Sequence, residues 1–154
     1  MRSGQSVTEE LHTLGALLRT PLDALLDHVF AELAQAGFPE VRRAHGAVFR
    51  HISRDGTRIT VLAERAHMTK QSMAELVEYL RKRGYLELVA DPTDGRAKLA
   101  KLSARGWKVH DALVRISQGF ERQCARGLGE EKWRQLRSLL REFAAWSEQR
   151  GRAG

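Results

Sequence analysis

The sequence predicts a mainly α-helical chain with one small β-hairpin. Apolar residues recur at helical spacing over most of the 154 residues, and the period falls to about two only between residues 85 and 102. Proline is limited to Pro21, Pro39 and Pro92, so few helices are interrupted. With 42% hydrophobic and 29% charged residues the composition is that of an ordinary globular chain, long enough for one domain or for one lobe plus pairing helices. A single cysteine, Cys124, excludes an intramolecular disulfide and a CxxC zinc framework, so folding rests on packing.

In the first helix Val7, Leu11, Leu14 and Leu18 form one stripe, and Thr20-Pro21 reads as an N-cap followed by a first helical residue, where the helix kinks or restarts. Leu22, Leu25, Leu26, Val29, Phe30 and Leu33 continue the apolar face to Gly37, placed where a C-terminal cap belongs. A second helix is expected from Pro39, with Val41, His45, Val48, Phe49 and Ile52 on one face, ending before the turn at Arg54-Asp55-Gly56-Thr57. Arg58-Ile59 suits only a strand stub. Thr60 is expected to cap a third helix, Val61 to His67, and Thr69 a fourth, Lys70 to Arg83. Met73, Leu76, Val77 and Leu80 are the buried stripe of the fourth, and Gly84 ends it.

Tyr85 to Val89 then reads as a strand, Asp91 to Arg96 as a loop, and Ala97 to Leu102 as the returning strand. Ser103 can cap a fifth helix with Val109, Leu113, Ile116, Phe120 and Cys124 on one seam. After Gly127 and Gly129 a sixth carries Trp133, Leu136, Leu140 and Phe143. Both seams are close to heptad spacing and exceed what one small lobe can cover, which predicts a homodimer built from the two ends of the chain.

Two short helices followed by a hairpin form a winged helix-turn-helix lobe, expected at residues 54–102. Residues 1–53 supply N-terminal helices for scaffold and dimerisation, and 103–154 supply C-terminal dimerisation helices. In a helix-turn-helix the first turn of the second helix meets base edges in the major groove. Thr69, Lys70, Gln71, Ser72 and Glu75 occupy that end, and the last four lie off the apolar stripe. Gln can pair bidentately with adenine, Ser serves several bases, and Glu accepts from a cytosine amino group. Arg96 in the wing is suited to a narrow minor groove, whose negative potential attracts arginine. Lys98 and Lys101 on the returning strand suit phosphates. Asp94 is expected to partner an arginine. The net charge of +7 also suits a polyanionic partner, although residues 54–101 hold ten Lys and Arg against seven Asp and Glu. Placement therefore matters more than the total: Arg58, Lys70, Arg96, Lys98 and Lys101 map to one expected face.

The segment TRITVLAERAHMTKQSMAELVEYLRKRGYLELVADPTDGRAKLAKLSARG resembles the winged-helix lobe of MarR-type regulators in its LAER helix start, MTKQSM recognition turn, LRKRGYLE exit and DPTDGR wing. The resemblance implies a dimeric, sequence-specific repressor or activator of transcription on double-stranded DNA, with a recognition helix at Lys70, Gln71, Ser72 and Glu75 and a wing tip at Asp94 and Arg96. Relatives commonly carry a larger or basic residue at the Gly95 position, which implies weaker wing binding here. It also implies a small-molecule effector pocket between dimer helices and lobe, with Arg42, Arg43, His45 and Phe49 as its candidates. Members that sense peroxide place a thiol near the start of the first helix, where this chain has none.

No metal or cofactor is expected. The six histidines form no HExxH or paired-ligand motif, and no glycine-rich phosphate loop or GxSxG element is present, so an enzyme is not expected. Trp107, Trp133 and Trp146 read as core or dimer packing, and Cys124 as a small hydrophobe on its seam. No run of apolar residues is long enough for a membrane span, and the N-terminus lacks a signal-peptide core, so a cytoplasmic protein is expected. The competing reading is a nonspecific architectural DNA binder, consistent with the basic charge but not with the compact recognition turn.

Overall fold

The computed structural model describes residues 13–152, so Val7, Leu11 and His12 lie outside the described residues. The chain forms two compact units, Met1–Ile116 and Ser117–Gly154. In the first, α1 (Leu14–Gln35) leads through a 3-10 turn (Arg43–His45) to α2 (Gly46–His51) and β1 (Thr57–Arg58). Next come α3 (Ile59–Arg65), α4 (Lys70–Lys82), β2 (Leu86–Asp91), β3 (Asp94–Leu102) and the start of α5 (Ala104–Leu128). The second unit holds the remainder of α5 and α6 (Glu130–Arg152). Among the described residues no helix is long and apolar enough to cross a membrane.

Of the kink or restart expected at Thr20-Pro21 in the first helix, the restart does not occur. Thr13 is its N-cap, accepting from the Ala16 N–H at 3.3 Å, and the helix runs through Pro21. The ring removes one N–H from the ladder, and the flanking turns carry the helix past it. α1 ends as expected at Gly37, whose φ of +98° lets the Phe38 N–H reach back to the Leu33 carbonyl at 3.2 Å.

Helix α2 starts later than Pro39. Val41 must be buried and the Glu40 carbonyl accepts from the Tyr79 hydroxyl at 3.1 Å, so this stretch cannot coil. The Arg42 N–H, left without a helical acceptor, donates to His45 Nδ1 at 2.9 Å. α3 starts earlier than predicted, at Ile59 with Arg58 as its cap residue, and Thr60 lies inside it. The chain turns directly from β1 into the helix.

The wing is a three-stranded antiparallel sheet in the order β1-β3-β2, one strand more than a hairpin. Its register pairs Leu86 with Leu102, Leu88 with Ala100 and Ala90 with Lys98, then jumps to Asp91 with Asp94. The reversal needs only Pro92-Thr93, because Asp91 Oδ1 accepts from both the Thr93 N–H (2.8 Å) and hydroxyl (2.7 Å). The predicted six-residue loop is thus a two-residue turn, and Arg96 sits in a bulged part of β3.

One core serves the whole first unit: Leu33 of α1, Val48 and Phe49 of α2, Leu62 of α3, Met73, Val77 and Leu80 of α4, Tyr85, Ala100 and Leu102 of the wing, and Val109 of α5. α5 begins against the wing. Ser103 caps it by accepting from the Gly106 N–H at 3.0 Å and donates to the Gly84 carbonyl at 2.6 Å. In the second unit Arg137 of α6 pairs with Glu121 of α5 at 2.8 Å, while Leu136, Leu139, Leu140 and Trp146 are exposed.

Candidate nucleic-acid interface

Helix α4 is amphipathic, and its orientation follows from burial. Met73, Val77 and Leu80 are essentially inaccessible, which turns Lys70, Gln71, Ser72 and Glu75 outward to solvent. Thr69 caps the first turn: its Oγ1 accepts from the Ser72 N–H at 3.1 Å and its hydroxyl meets Ser72 Oγ at 2.9 Å. Gln71 Nε2 donates to Glu75 Oε1 at 3.4 Å, a long exposed bond that holds the amide loosely over the helix surface. The turn before α4 has His67 in the left-handed region at φ 52°, which allows the Met68 N–H to bond the Ala63 carbonyl and sets the bend between α3 and α4.

The wing carries Arg96, Lys98 and Lys101 along β3, with Lys98 and Lys101, three residues apart, on opposite faces of the sheet. Arg96 and Lys98 are exposed and Lys101 half-buried. Among the described residues the side chains of these three and of Lys70 make no ion pair, hydrogen bond or ring contact. Arg58 differs. Its guanidinium binds Asp91 Oδ2 at 2.6 Å and lies 3.7 Å from Asp94, so it ties β1 to the base of the wing turn. Asp91 is buried, and the Thr93 hydroxyl and N–H, with Arg58, hold its carboxyl down at about 2. Asp94 also accepts from the Arg96 N–H at 3.1 Å, fixing the backbone from which the Arg96 side chain departs.

Residues 41–97 match a family model described as the MarR family. A curated relative, the transcriptional regulator HosA of Escherichia coli O111:H-, is 28% identical over 110 residues, 71% of this chain and 82% of the relative. Over residues 41–97 the chain is similar to the MarR family. Solved structures agree on the fold: MarR is 22% identical with a TM-score of 0.74, over 88% of this chain and 98% of that one. S. aureus MepR, as a mutant bound to an oligodeoxyribonucleotide, is 20% identical with a TM-score of 0.59, over 86% of this chain and 96% of that one. CouR of Rhodococcus jostii RHA1, bound to p-coumaroyl-CoA, is 21% identical with a TM-score of 0.66, over 92% and 96%.

Of the four effector-pocket candidates, Arg42 and His45 are joined by a hydrogen bond, whereas Arg43 and Phe49 have other partners. Phe49 is in the core, and Arg43 pairs with Asp23 and Asp27 of α1. His45 is buried, with its ring stacked on Tyr79 at 4.4 Å, while Arg42 is exposed and its N–H is taken by that imidazole. Burial first, then the charges of Arg42 and Arg83, push His45 below the usual histidine range. Nδ1 acts as an acceptor, so the neutral ring carries its proton on Nε2.

Sequence reasoning missed a polar cluster at the far end of α4. The Tyr85 hydroxyl donates to Glu40 Oε2 at 2.8 Å, and the Arg105 guanidinium lies 3.6 Å from Glu40 Oε1 and 4.3 Å above the Tyr85 ring. Burial and the bond to Glu40 push the Tyr85 phenol up to about 12. These residues are far apart in sequence and no local pattern links them. Asp91 was legible in principle, since Asp-Pro-Thr at a strand end is a turn signal.

Proposed function

We propose that this chain is a regulator that binds double-stranded DNA sequence-specifically, as a homodimer on a near-palindromic operator, and answers to a small-molecule effector. The observation that carries the reading is the pairing of a capped, outward-facing first turn of α4 with a neighbouring strand whose cations have no protein partner among the described residues. Gln71 reads a base edge, with Ser72 and Glu75 beside it. Lys70, Lys98 and Lys101 take phosphates, and Arg96 enters the adjacent minor groove. Arg58 holds the wing in shape for that contact, and Thr69 holds the recognition turn. In this reading residues 54–102 are the DNA-binding lobe, and 1–53 and 103–154 supply the dimer.

The dimer is supported by apolar side chains exposed on a single chain. Leu14, Leu17 and Leu22 of α1 and Leu139 and Trp146 of α6 stand in solvent, in amounts unusual for a monomer. The oligonucleotide on MepR and the p-coumaroyl-CoA on CouR support the DNA and effector parts of the reading.

The test is selection of bound fragments from random duplex, repeated with Gln71→Ala. The parent should yield a two-fold symmetric consensus, and the variant should lose about 1 to 3 kcal/mol at that site and relax one base pair in each half. A parent that bound all duplexes equally at fixed salt would remove the sequence-specific reading in favour of architectural binding. Sedimentation as a monomer at micromolar concentration would remove the dimer.

A further inference from the structure

The geometry points to Glu40 as a positioning residue that sets the orientation of the recognition helix, and thereby the half-site spacing the dimer accepts. The C-terminal end of α4 and the residues that follow it are gripped from outside the helix at several points. Glu40 lies in the turn between α1 and the 3-10 segment, and its backbone carbonyl accepts from the Tyr79 hydroxyl at 3.1 Å. Its carboxylate accepts from the Tyr85 hydroxyl at 2.8 Å and faces Arg105 of α5 at 3.6 Å. Arg105 also donates to the Arg83 carbonyl at 2.8 Å, one residue beyond the end of α4. The Tyr79 ring is stacked on His45 at 4.4 Å, and the Arg83 guanidinium lies 3.6 Å from its centroid. Through Glu40, one residue after Pro39, three separate parts of the fold therefore converge on the exit of the recognition helix: the turn that follows α1, the helix itself and the first turn of α5.

A rigid rod fixed at one end presents its other end at a defined angle. α4 is 13 residues long, about 20 Å at the helical rise, so a small rotation at Tyr79 and Arg83 becomes a displacement of several ångströms near Lys70 and Gln71. The packed stripe Met73, Val77 and Leu80 resists separation of the helix from the core, whereas the directional bonds at Glu40 resist its swinging against α1 and α5. In a symmetric dimer that angle fixes the distance between two recognition turns, and so the number of base pairs between half-sites.

The inference rests on the dimeric, sequence-specific reading given above. The experiment measures affinity of the full chain for its selected operator and for versions with one base pair inserted or deleted between the half-sites, at fixed salt. The parent should bind the altered operators at least about tenfold more weakly. Glu40→Ala should shrink that ratio to about two- to threefold, and Tyr79→Phe, which deletes only the hydroxyl, should shrink it in part. Glu40→Gln keeps an acceptor for Tyr85 and should recover most of the discrimination. A loss of folded protein alone would lower binding to every operator by the same factor and leave the ratio intact. If soluble Glu40→Ala and Tyr79→Phe both retain the parent's ratio, the positioning role is overturned. A parent with no spacing preference at all would overturn the dimeric reading, and the inference with it.

Discussion

Gly106→Ala should be among the most damaging single-methyl additions in the chain. A Cβ at Gly106 would lie well under 3 Å from the Tyr85 carbonyl oxygen and 3.1 Å from Leu102 Cδ2. The first is backbone and cannot swing away, because that carbonyl also accepts from the Ser103 N–H at 3.1 Å. Relief requires α5 to withdraw by roughly an ångström from the start of β2, and overpacking of this kind costs about 1 to 3 kcal/mol. The withdrawal also stretches the Ser103 bonds to Gly84 and Tyr85, each worth about 0.5 to 1.5 kcal/mol. Against this stands the helix preference of alanine over glycine, about 1 kcal/mol. The net expectation is a loss of about 2 to 3 kcal/mol. Gly119→Ala in the same helix is the control: its Cβ would meet only the end of the Arg122 side chain at 3.8 Å, so it should stabilise by up to about 1 kcal/mol. Urea denaturation at one protomer concentration measures both. Opposite signs are expected; a Gly106→Ala midpoint equal to the parent's would refute the close approach of α5 to Tyr85 as a constraint.

Asp91→Asn should loosen the wing turn, read as faster amide exchange at Thr93 to Arg96 near neutral pH. Because the folded carboxyl is held at about 2 against an ordinary 3.8, the parent's wing should be fully stabilised above pH 3.8 and lose that support as pH falls through 2, an acid limb the variant should lack. At His67, Gly should be tolerated or raise stability by up to about 1 kcal/mol, whereas Val should lower it by about 1 to 2 kcal/mol, given φ of 52°; equal denaturation midpoints would remove the strain at this turn as a factor. Lys98→Ala should reduce the slope of log affinity against log salt by about 0.9 for each phosphate that the lysine neutralises, and an unchanged slope would exclude Lys98 from the phosphates. Arg96→Ala should weaken binding most at sites with a narrow A·T-rich minor groove while changing stability by less than about 0.5 kcal/mol, and parent-like affinity at equal salt would contradict the minor-groove role.

Signals that act within a few residues were legible in the sequence. Thr69 and Ser103 as caps, Gly37 and Gly84 as helix ends, and the stripe Met73, Val77 and Leu80 each depend on neighbours one or two turns away, and each stands where periodicity and capping put it. What could not be read depends on distant partners. Thr60 looks like a cap until Thr57-Arg58 pairs with Leu99 and Ala100 and draws the helix start forward to Ile59. Thr20-Pro21 looks like a restart, yet Val29 and Leu33 downstream are buried in the same continuous helix that Thr13 begins. At the candidate site the outward face of α4 could be inferred from the inward one. The use of Arg58 could not, because its partner Asp91 is 33 residues away.

Arg58 also shows why a charge total says little about a polyanion site. The ten Lys and Arg of residues 54–101 include several whose charge is already engaged: Arg58 by Asp91 and Asp94, and Arg81 and Lys82 by Glu78. Others are directed by the fold, Arg65 to the His51 carbonyl, Arg83 over Tyr79 and Arg54 over Trp107. Lys70, Arg96, Lys98 and Lys101 are left, with side chains that meet no partner among the described residues. A cation already paired within the protein has few counterions to exchange, whereas an unpaired one can replace the condensed counterions of a phosphate. The four unpaired side chains fall on the first turn of α4 and on β3, the two elements that a winged helix-turn-helix brings to a duplex. Intramolecular pairing thus acts as a filter, converting a modest and diffuse basic excess into a patterned one. Asp91 takes part in that filter without touching nucleic acid: by engaging Arg58 it shapes the wing and leaves Arg96 as the arginine on β3 with an unoccupied guanidinium.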